Sequence, residues 1–347
     1  MKILIAILIF SFIVIFHELG HYFVAKRCGI RVNEFMLGLG PRLFGFQRGE
    51  TLFSVHLLPF GGACVMEGEE ADTDDERSFQ KKPAWQRFLV VAAGPVFNFI
   101  LAYILAVILV VCIGYQPARV EKLIDGYPAE EAGIQANDLI TDINGYHVHF
   151  YGEVRAYTMM HTGKMLHVTV ERTSDGKTIK KTYSIDPRYD KGSKGYLIGI
   201  QGETENVKTN IFGALRYGAY QVKYLIYVTI GSLKMLLTGQ LGVSDMSGPV
   251  GIVKTIGDAY EQSLAISVFY AVMEMLNLTI LLSANLGVMN LLPFPALDGG
   301  RLVFLLVEMI TKKKAPEKIE GAVNFAGFAI LMGFMVLVMI SDITKLF

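Results

Sequence analysis

The chain has 347 residues, 52% of them hydrophobic and only 18% charged, with a formal net charge of zero. Soluble globular chains run near a quarter charged, so this balance, with a mean hydropathy of +0.41, excludes an ordinary soluble domain and points to lipid. Zero net charge gives no footing for nucleic acid as a partner, and three scattered cysteines (Cys28, Cys64, Cys112) without a CxxC pair argue against a disulfide framework or a cysteine-built metal site.

The first apolar span opens the chain. Residues 3–16 (ILIAILIFSFIVIF) carry no charge, and the pattern continues through His17-Glu18-Leu19-Gly20-His21 to about Ala25. A secretory signal peptide is the alternative, but no small-x-small cleavage site follows, and a His-Glu cluster is out of place in such a segment. Residues 26–87 form a loop rich in Lys and Arg, with an acidic cluster (Glu67, Glu69, Glu70, Asp72, Asp74, Asp75, Glu76) that reads as solvated. The second span, 88–113, is uncharged and interrupted only by Gly94-Pro95, which places a kink there. Residues 116–200 read as β-rich, with short runs such as Leu166–Val170 and turn signals at Asn144-Gly145 and Asp175-Gly176. Lys177, Lys180 and Lys181 in this stretch read as solvent-facing. From 206 to 272 the pattern is helical and amphipathic, broken by Lys223 and Lys234, which suits an interfacial helix rather than a crossing. The third span covers 275–297, between Glu274 and Asp298, and the fourth 323–341. Each reaches the roughly 20 residues that a bilayer core requires.

The predicted fold is therefore an α-helical membrane protein with four transmembrane helices and an inserted β-rich domain. Its expected divisions are 1–113, 114–202, 203–272 and 273–347. The basic loops 26–87 and 312–318 fall on one side, which the positive-inside rule makes cytoplasmic. Both termini and the insert then face outwards, in a cell membrane, with His17 and His21 towards the cytoplasmic side.

His17-Glu18-Leu19-Gly20-His21 has the form H-E-x-x-H. On a helix, residues four apart share a face, so both imidazoles can reach one ion, while Glu18 stands beside them as a base. Ionisable groups inside a membrane span are costly and normally pair or bind something. A self-satisfied His-Glu pair would need only one histidine. A catalytic zinc takes three protein ligands, and Asp298, in Asn290-Leu291-Leu292-Pro293-Phe294-Pro295-Ala296-Leu297-Asp298-Gly299-Gly300, is the candidate third. Pro293 and Pro295 break the helix there, and irregular backbone at membrane depth is tolerated only in protein or at a water-filled cavity. The competing reading is a helix-capping aspartate. His56 is the weak rival ligand. Asn98 and Asn290 can bond a substrate strand or a zinc-site group, or simply join helices.

Taken together, HELGH at 17–21, Gly38-Leu39-Gly40-Pro41, Leu58-Pro59-Phe60-Gly61-Gly62, GPVFN at 94–98, Ser247-Gly248-Pro249-Val250-Gly251-Ile252 and NLLPFPALDGG at 290–300 resemble the site-2 protease family, M50, of the bacterial regulator-of-sigma-E protease type. The resemblance implies Zn2+ held by His17, His21 and Asp298, Glu18 as general base, and a cut within the span of a transmembrane substrate already trimmed by another protease. Anti-sigma factors and signal-peptide remnants are such substrates. It also implies a membrane-associated hairpin around Gly61 and Gly62 that pairs with unwound substrate, and one PDZ domain. The PDZ likeness rests on Tyr127–Ile140 and Ile143-Asn144-Gly145, with Asn137 where relatives carry Gly at a left-handed turn. At Gly61–Met66 this chain departs from relatives, which often carry an aromatic and a lysine, and substrate preference is expected to follow. Two readings of other classes compete: a membrane-anchored PDZ adaptor with a structural metal, which would have no use for Glu18, and a transporter, for which no inverted repeat is visible.

Overall fold

The computed structural model describes residues 2–69, 73–174, 176–190, 195–314 and 316–345. Helix α1 (Lys2–Arg27) leads into two long strands, β1 (Val32–Arg48) and β2 (Thr51–Met66), and then helix α2 (Ala84–Ile113). The insert follows with β3 (Val120–Leu123), α3 (Pro128–Glu131), β4 (Leu139–Ile143), β5 (Tyr146–His147), α4 (Tyr151–Met160), β6 (Leu166–Ser174), β7 (Lys177–Ile185), β8 (Arg188–Asp190), β9 (Gly195–Leu197) and β10 (Ile200–Gly202). Helices α5 (Ile211–Leu237), α6 (Pro249–Ile266), α7 (Val268–Leu291), α8 (Asp298–Thr311) and α9 (Glu317–Thr344) complete the chain. Two compact units result, Met1–Leu105 with Leu241–Phe347, and Ala106–Gln240.

Four helices are long and apolar enough to cross a membrane: Lys2–Arg27, Ala84–Ile113, Val268–Leu291 and Lys318–Thr344. They are the four spans expected, with shifted limits. The third begins at Val268, where Ser267 caps it, and not after Glu274; it ends at Leu291, not 297. A hydropathy reading stops at the first charge, whereas a helix tolerates one half-buried Glu. At the other end Pro293 and Pro295 drive the preceding residues into extended backbone, and Leu292 sits at ψ 141. Gly94-Pro95 does not break α2, which continues through Pro95. Proline removes only one N–H from the ladder, and packing of the surrounding helices holds the rest.

In the first unit, Ala6, Ile9 and Ile13 of α1 pack on Leu101 of α2 and Ile256 of α6, flanked by Met275, Leu278, Leu282 and Leu286 of α7. A second cluster joins Ala25, Val32, Cys64, Val90, Val91, Leu302 and Leu305, which ties α1, the strands, α2 and α8 together. The strands fold back on themselves. Arg48 pairs with Thr51 at the turn, while Glu34 to Leu37 register both on Leu52 to Val55 and on Gly62 to Val65. The start of β1 therefore lies between two halves of β2. Gly38, Gly40 and Gly61, at φ 84, 89 and 77, make the bends at the far end.

The acidic loop is less solvated than its composition suggests. Glu67 accepts from Asn33, Glu69 pairs with Arg301 of α8, and Asp75 pairs with Arg77 and Arg31. Local charge density says nothing about partners more than 200 residues away in sequence. Glu70 and Asp72 of that cluster, and Asp175 of the second turn signal, lie outside the described residues.

In the insert, β5-β4-β6-β7 form one antiparallel sheet and β10 pairs with β3. Alternate residues of β6, Leu166, Val168 and Val170, face the core with Ile134, Ile140, Ile143 and Ile185. Asn144 and Gly145, at φ 52 and 83, make the two-residue turn between β4 and β5. Asn137 takes the left-handed conformation, at φ 72. Lys177, Lys180 and Lys181 are exposed on β7. Asp138 is the buried polar anchor. Its carboxylate accepts from Arg172 Nε and Nη2 at 2.7 and 2.6 Å and from the Gln135 N–H at 2.9 Å. Removing one partner of a buried pair leaves the other uncompensated, so Asp138→Ala is expected to cost about 3 kcal/mol. Limited proteolysis of the full-length protein in detergent checks this: cleavage should speed up within 114–202 and not in the helices.

Candidate active site

His17 and His21 lie one turn apart on the same face of α1, and each is only 8% exposed. Their rings meet edge to face with centroids 4.9 Å apart, and the two Nε2 atoms are separated by 3.2 Å. Asp298 closes the cluster from the start of α8, its Oδ2 3.2 Å from His17 Nε2 and 3.6 Å from His21 Nε2. Among the described residues this is the one grouping of three metal-ligand side chains.

Ligand atoms placed tetrahedrally about a zinc stand roughly 3.3 Å from one another, given bonds near 2 Å. The three separations match that spacing. Asp298 Oδ2 is also buried without a hydrogen-bond partner, a costly condition unless a cation takes it up. Two imidazoles and a carboxylate, with that orphaned oxygen between the nitrogens, fit a three-ligand catalytic zinc.

The α7–α8 connection delivers Asp298. After Leu291 the chain crosses Pro293 and Pro295, passes through Ala296 at φ 72, and re-enters helix at Asp298. A Cβ on Gly299 would overlap the Leu292 carbonyl, and one on Gly300 would meet Pro295 Cα at 3.0 Å. Both glycines are what let the connection fold back so tightly. Leu297, not Asp298, occupies the cap position of α8. Three residues on, Arg301 pairs with Glu69 and lies over the Phe79 ring, 5.9 Å from its centroid.

Helix α2 supports the histidines with one face. Val90, Gly94 and Asn98 are spaced by four. His21 Nδ1 lies 2.8 Å from the Val90 carbonyl, which can only accept, so Nδ1 carries the proton and Nε2 the lone pair. Asn98 meets His17 Nδ1 at 3.1 Å. Between them, a Cβ on Gly94 would fall on His21 Nε2 and 2.6 Å from His17 Cε1. The approach is reciprocal, since a Cβ on Gly20 of α1 would strike the Ala93 carbonyl and come within 2.9 Å of Phe97 Cγ.

Glu18 is turned towards β2. Its carboxylate accepts from the Cys64 N–H, and a Cβ on Gly62 would sit 3.3 Å from Glu18 Cγ and 3.2 Å from Val14. Further along α1, Ser11 Oγ donates to the Pro59 carbonyl at 3.0 Å. Burial drives the Cys64 thiol well above its ordinary range, so it is an inert filler.

His17, Glu18, His21, Asp298, Asn98 and Gly62 thus converge. His56 does not; its ring nitrogens are held by the Gly40 carbonyl and Ser54 Oγ, at 2.6 and 3.0 Å. Asn290 stands in the last turn of α7, Pro293 and Pro295 lie in the connection, and Gly61 makes a bend in β2. Sequence reasoning missed Val90, whose contribution is a backbone carbonyl, and read Gly94 only as part of a kink. The spacing of Gly94 and Asn98 by four was the available signal.

A sequence profile of peptidase family M50 matches residues 5–334. The chain is 39% identical over 342 residues to a Clostridium acetobutylicum protein whose name assigns it as a zinc metalloprotease, covering 99% of this chain and 97% of that one. It is 30% identical over 424 aligned positions to the regulator of sigma-W protease RasP of Bacillus subtilis, covering 98% of each. A zinc metalloprotease RasP of Bacillus licheniformis is 31% identical, again with 98% of each chain covered.

Because Gly94 leaves no room for a side chain against the imidazoles, Gly94→Ala is expected to insert normally yet purify deficient in zinc. Elemental analysis of detergent-purified protein checks this, and a full complement of zinc would show that the rings can retreat.

Proposed function

The chain belongs to peptidase family M50, and on that premise we propose that it is a zinc protease of the cell membrane that cuts single-span membrane proteins within their spans. The observation that carries the reading is the meeting of His17, His21 and Asp298 beside Glu18, on a helix long and apolar enough to cross a bilayer. A soluble substrate would give no reason to build such a site into that helix.

In this reading His17, His21 and Asp298 hold the zinc, which when bound supplies Lewis acidity to water and to the scissile carbonyl. Glu18, oriented by the Cys64 N–H, takes the proton from the attacking water and passes it to the leaving amine. A helical substrate hides its carbonyls in its own hydrogen bonds, so it must unwind at the cut. The Gly61–Met66 stretch of β2, beside Glu18, supports a role in pairing with the freed strand, with Asn290, Pro293 and Pro295 shaping the opposite wall. The insert is read as one PDZ domain, and α5 and α6 as interfacial helices. Both termini and the insert are placed outside the cell, with the HExxH end of α1 towards the cytoplasm. The name of the Bacillus subtilis relative suggests the regulator of a sigma factor as a substrate, and in this reading such substrates are membrane-bound and trimmed first by another protease.

The test co-expresses this protein with a tagged single-span anti-sigma factor lacking its outer domain. Wild type should give a shorter tagged fragment, and Glu18→Gln should lose at least about 10²-fold of that activity while keeping its zinc. Equal fragments from both proteins would remove Glu18 from the chemistry.

A further inference from the structure

Asn98 had three candidate roles: bonding a substrate strand, bonding a zinc-site group, or joining helices. Burial excludes the first. The residue is 0% exposed, so nothing that arrives from outside the bundle reaches its amide. Its backbone carbonyl is also engaged, accepting from Ser283 Oγ of α7 at 2.8 Å. The side chain is left facing His17.

For His17 to ligate through Nε2, that nitrogen must carry the lone pair, and the ring proton must then sit on Nδ1. A proton on a buried Nδ1 needs an acceptor. For His21 the Val90 carbonyl is that acceptor, 2.8 Å away. For His17 the group at Nδ1 is the Asn98 amide, 3.1 Å away through Nδ2, while the amide's own Oδ1 is buried and has no hydrogen-bond partner. A half-turn about the Cβ–Cγ bond exchanges the two ends of an amide at almost no change in shape. It brings the orphaned Oδ1 to Nδ1 and turns a donor against a donor into N–H···O.

We propose that Asn98 is a positioning residue for the metal, its Oδ1 accepting the His17 Nδ1 proton and so fixing the tautomer and ring orientation in which Nε2 faces Asp298. This rests on the reading of His17, His21 and Asp298 as the zinc site. Val90 does the same for His21 through its carbonyl. The two ligands on α1 are thus gripped from a single face of α2, one by main chain and one by side chain.

Zinc affinity of the full-length protein in detergent, measured by competition with a chromogenic chelator, tests this. Thermal unfolding of the metal-free form and ¹⁵N spectra of histidine-labelled, zinc-loaded protein provide readouts independent of activity. Asn98→Leu, similar in volume but unable to accept, should bind zinc 10- to 100-fold more weakly and lose the hydrogen-bonded Nδ1–H signature of His17. Asn98→Asp, which accepts at the same place, should stay within about threefold of wild type. Equal zinc affinity in wild type and Asn98→Leu would overturn the proposal while leaving the zinc site standing. So would a zinc affinity in Asn98→Asp as weak as in the leucine variant, with the unfolding of both metal-free forms shifted alike. A wild type that holds no zinc overturns both this proposal and the reading beneath it.

Discussion

The close approach of α1 and α2 at Gly20 and Gly94 is the constraint on which the rest of the site depends. Helices in lipid gain little from burying apolar surface against each other and associate instead through tight packing and hydrogen bonds, with small residues at the crossing. Here the crossing does more than hold two helices together. With a methyl group at either glycine, the α1 imidazoles could no longer approach α2 so closely, and neither Nδ1 would reach its partner on Val90 or Asn98. Those two contacts in turn aim both Nε2 atoms at the same point. Packing and ligand geometry are therefore one arrangement seen from two sides.

The third group arrives by a different physical route. Asp298 is presented from the first turn of α8, at the end of a break between helices. Two prolines end α7 at Leu291, six residues without helix turn the chain, and two glycines without side chains let α8 start against that turn. An acidic residue in the first turn of a helix also faces the positive end of its dipole. Arg301, one turn later, is anchored by Glu69 and Phe79. The loop before α2 thereby fixes the orientation of the helix that carries Asp298.

Much of this was legible in the sequence, and the remainder was not for identifiable reasons. Uncharged runs of about 20 residues announce membrane helices because the bilayer demands length and apolarity together. The Asn144-Gly145 turn and the left-handed Asn137 follow from local backbone preference, which needs no tertiary context. His17 and His21 declare their shared face by spacing alone. By contrast, α8 was invisible as a helix because its apolar stripe merges with the proline-rich connection before it. Val90 contributes a carbonyl that every residue possesses, so no residue type could have marked it. The Glu69–Arg301 pair joins positions 232 residues apart, and the acidic loop looked merely solvated. Gly94 was read beside Pro95 as a kink, when its value lies in the side chain it lacks.

The β1–β2 layer gives a site otherwise walled by helices one side built of strand. Three sides of the metal cluster are closed by α1, α2 and α8. The fourth, over Glu18, is covered by the Gly62–Cys64 stretch of β2. A strand there presents backbone donors and acceptors where a helix would present only side chains. One of them, the Cys64 N–H, is already used by Glu18. Exposed main chain at that depth is unfavourable in lipid unless it is paired or faces water. An unwound segment of another polypeptide has the matching problem, with carbonyls and N–H groups that have lost their helical partners. In the proposed reaction each meets the other's need at the place where Glu18 and the cluster act. Specificity would then rest on how readily a span gives up its own hydrogen bonds, rather than on a side-chain pocket.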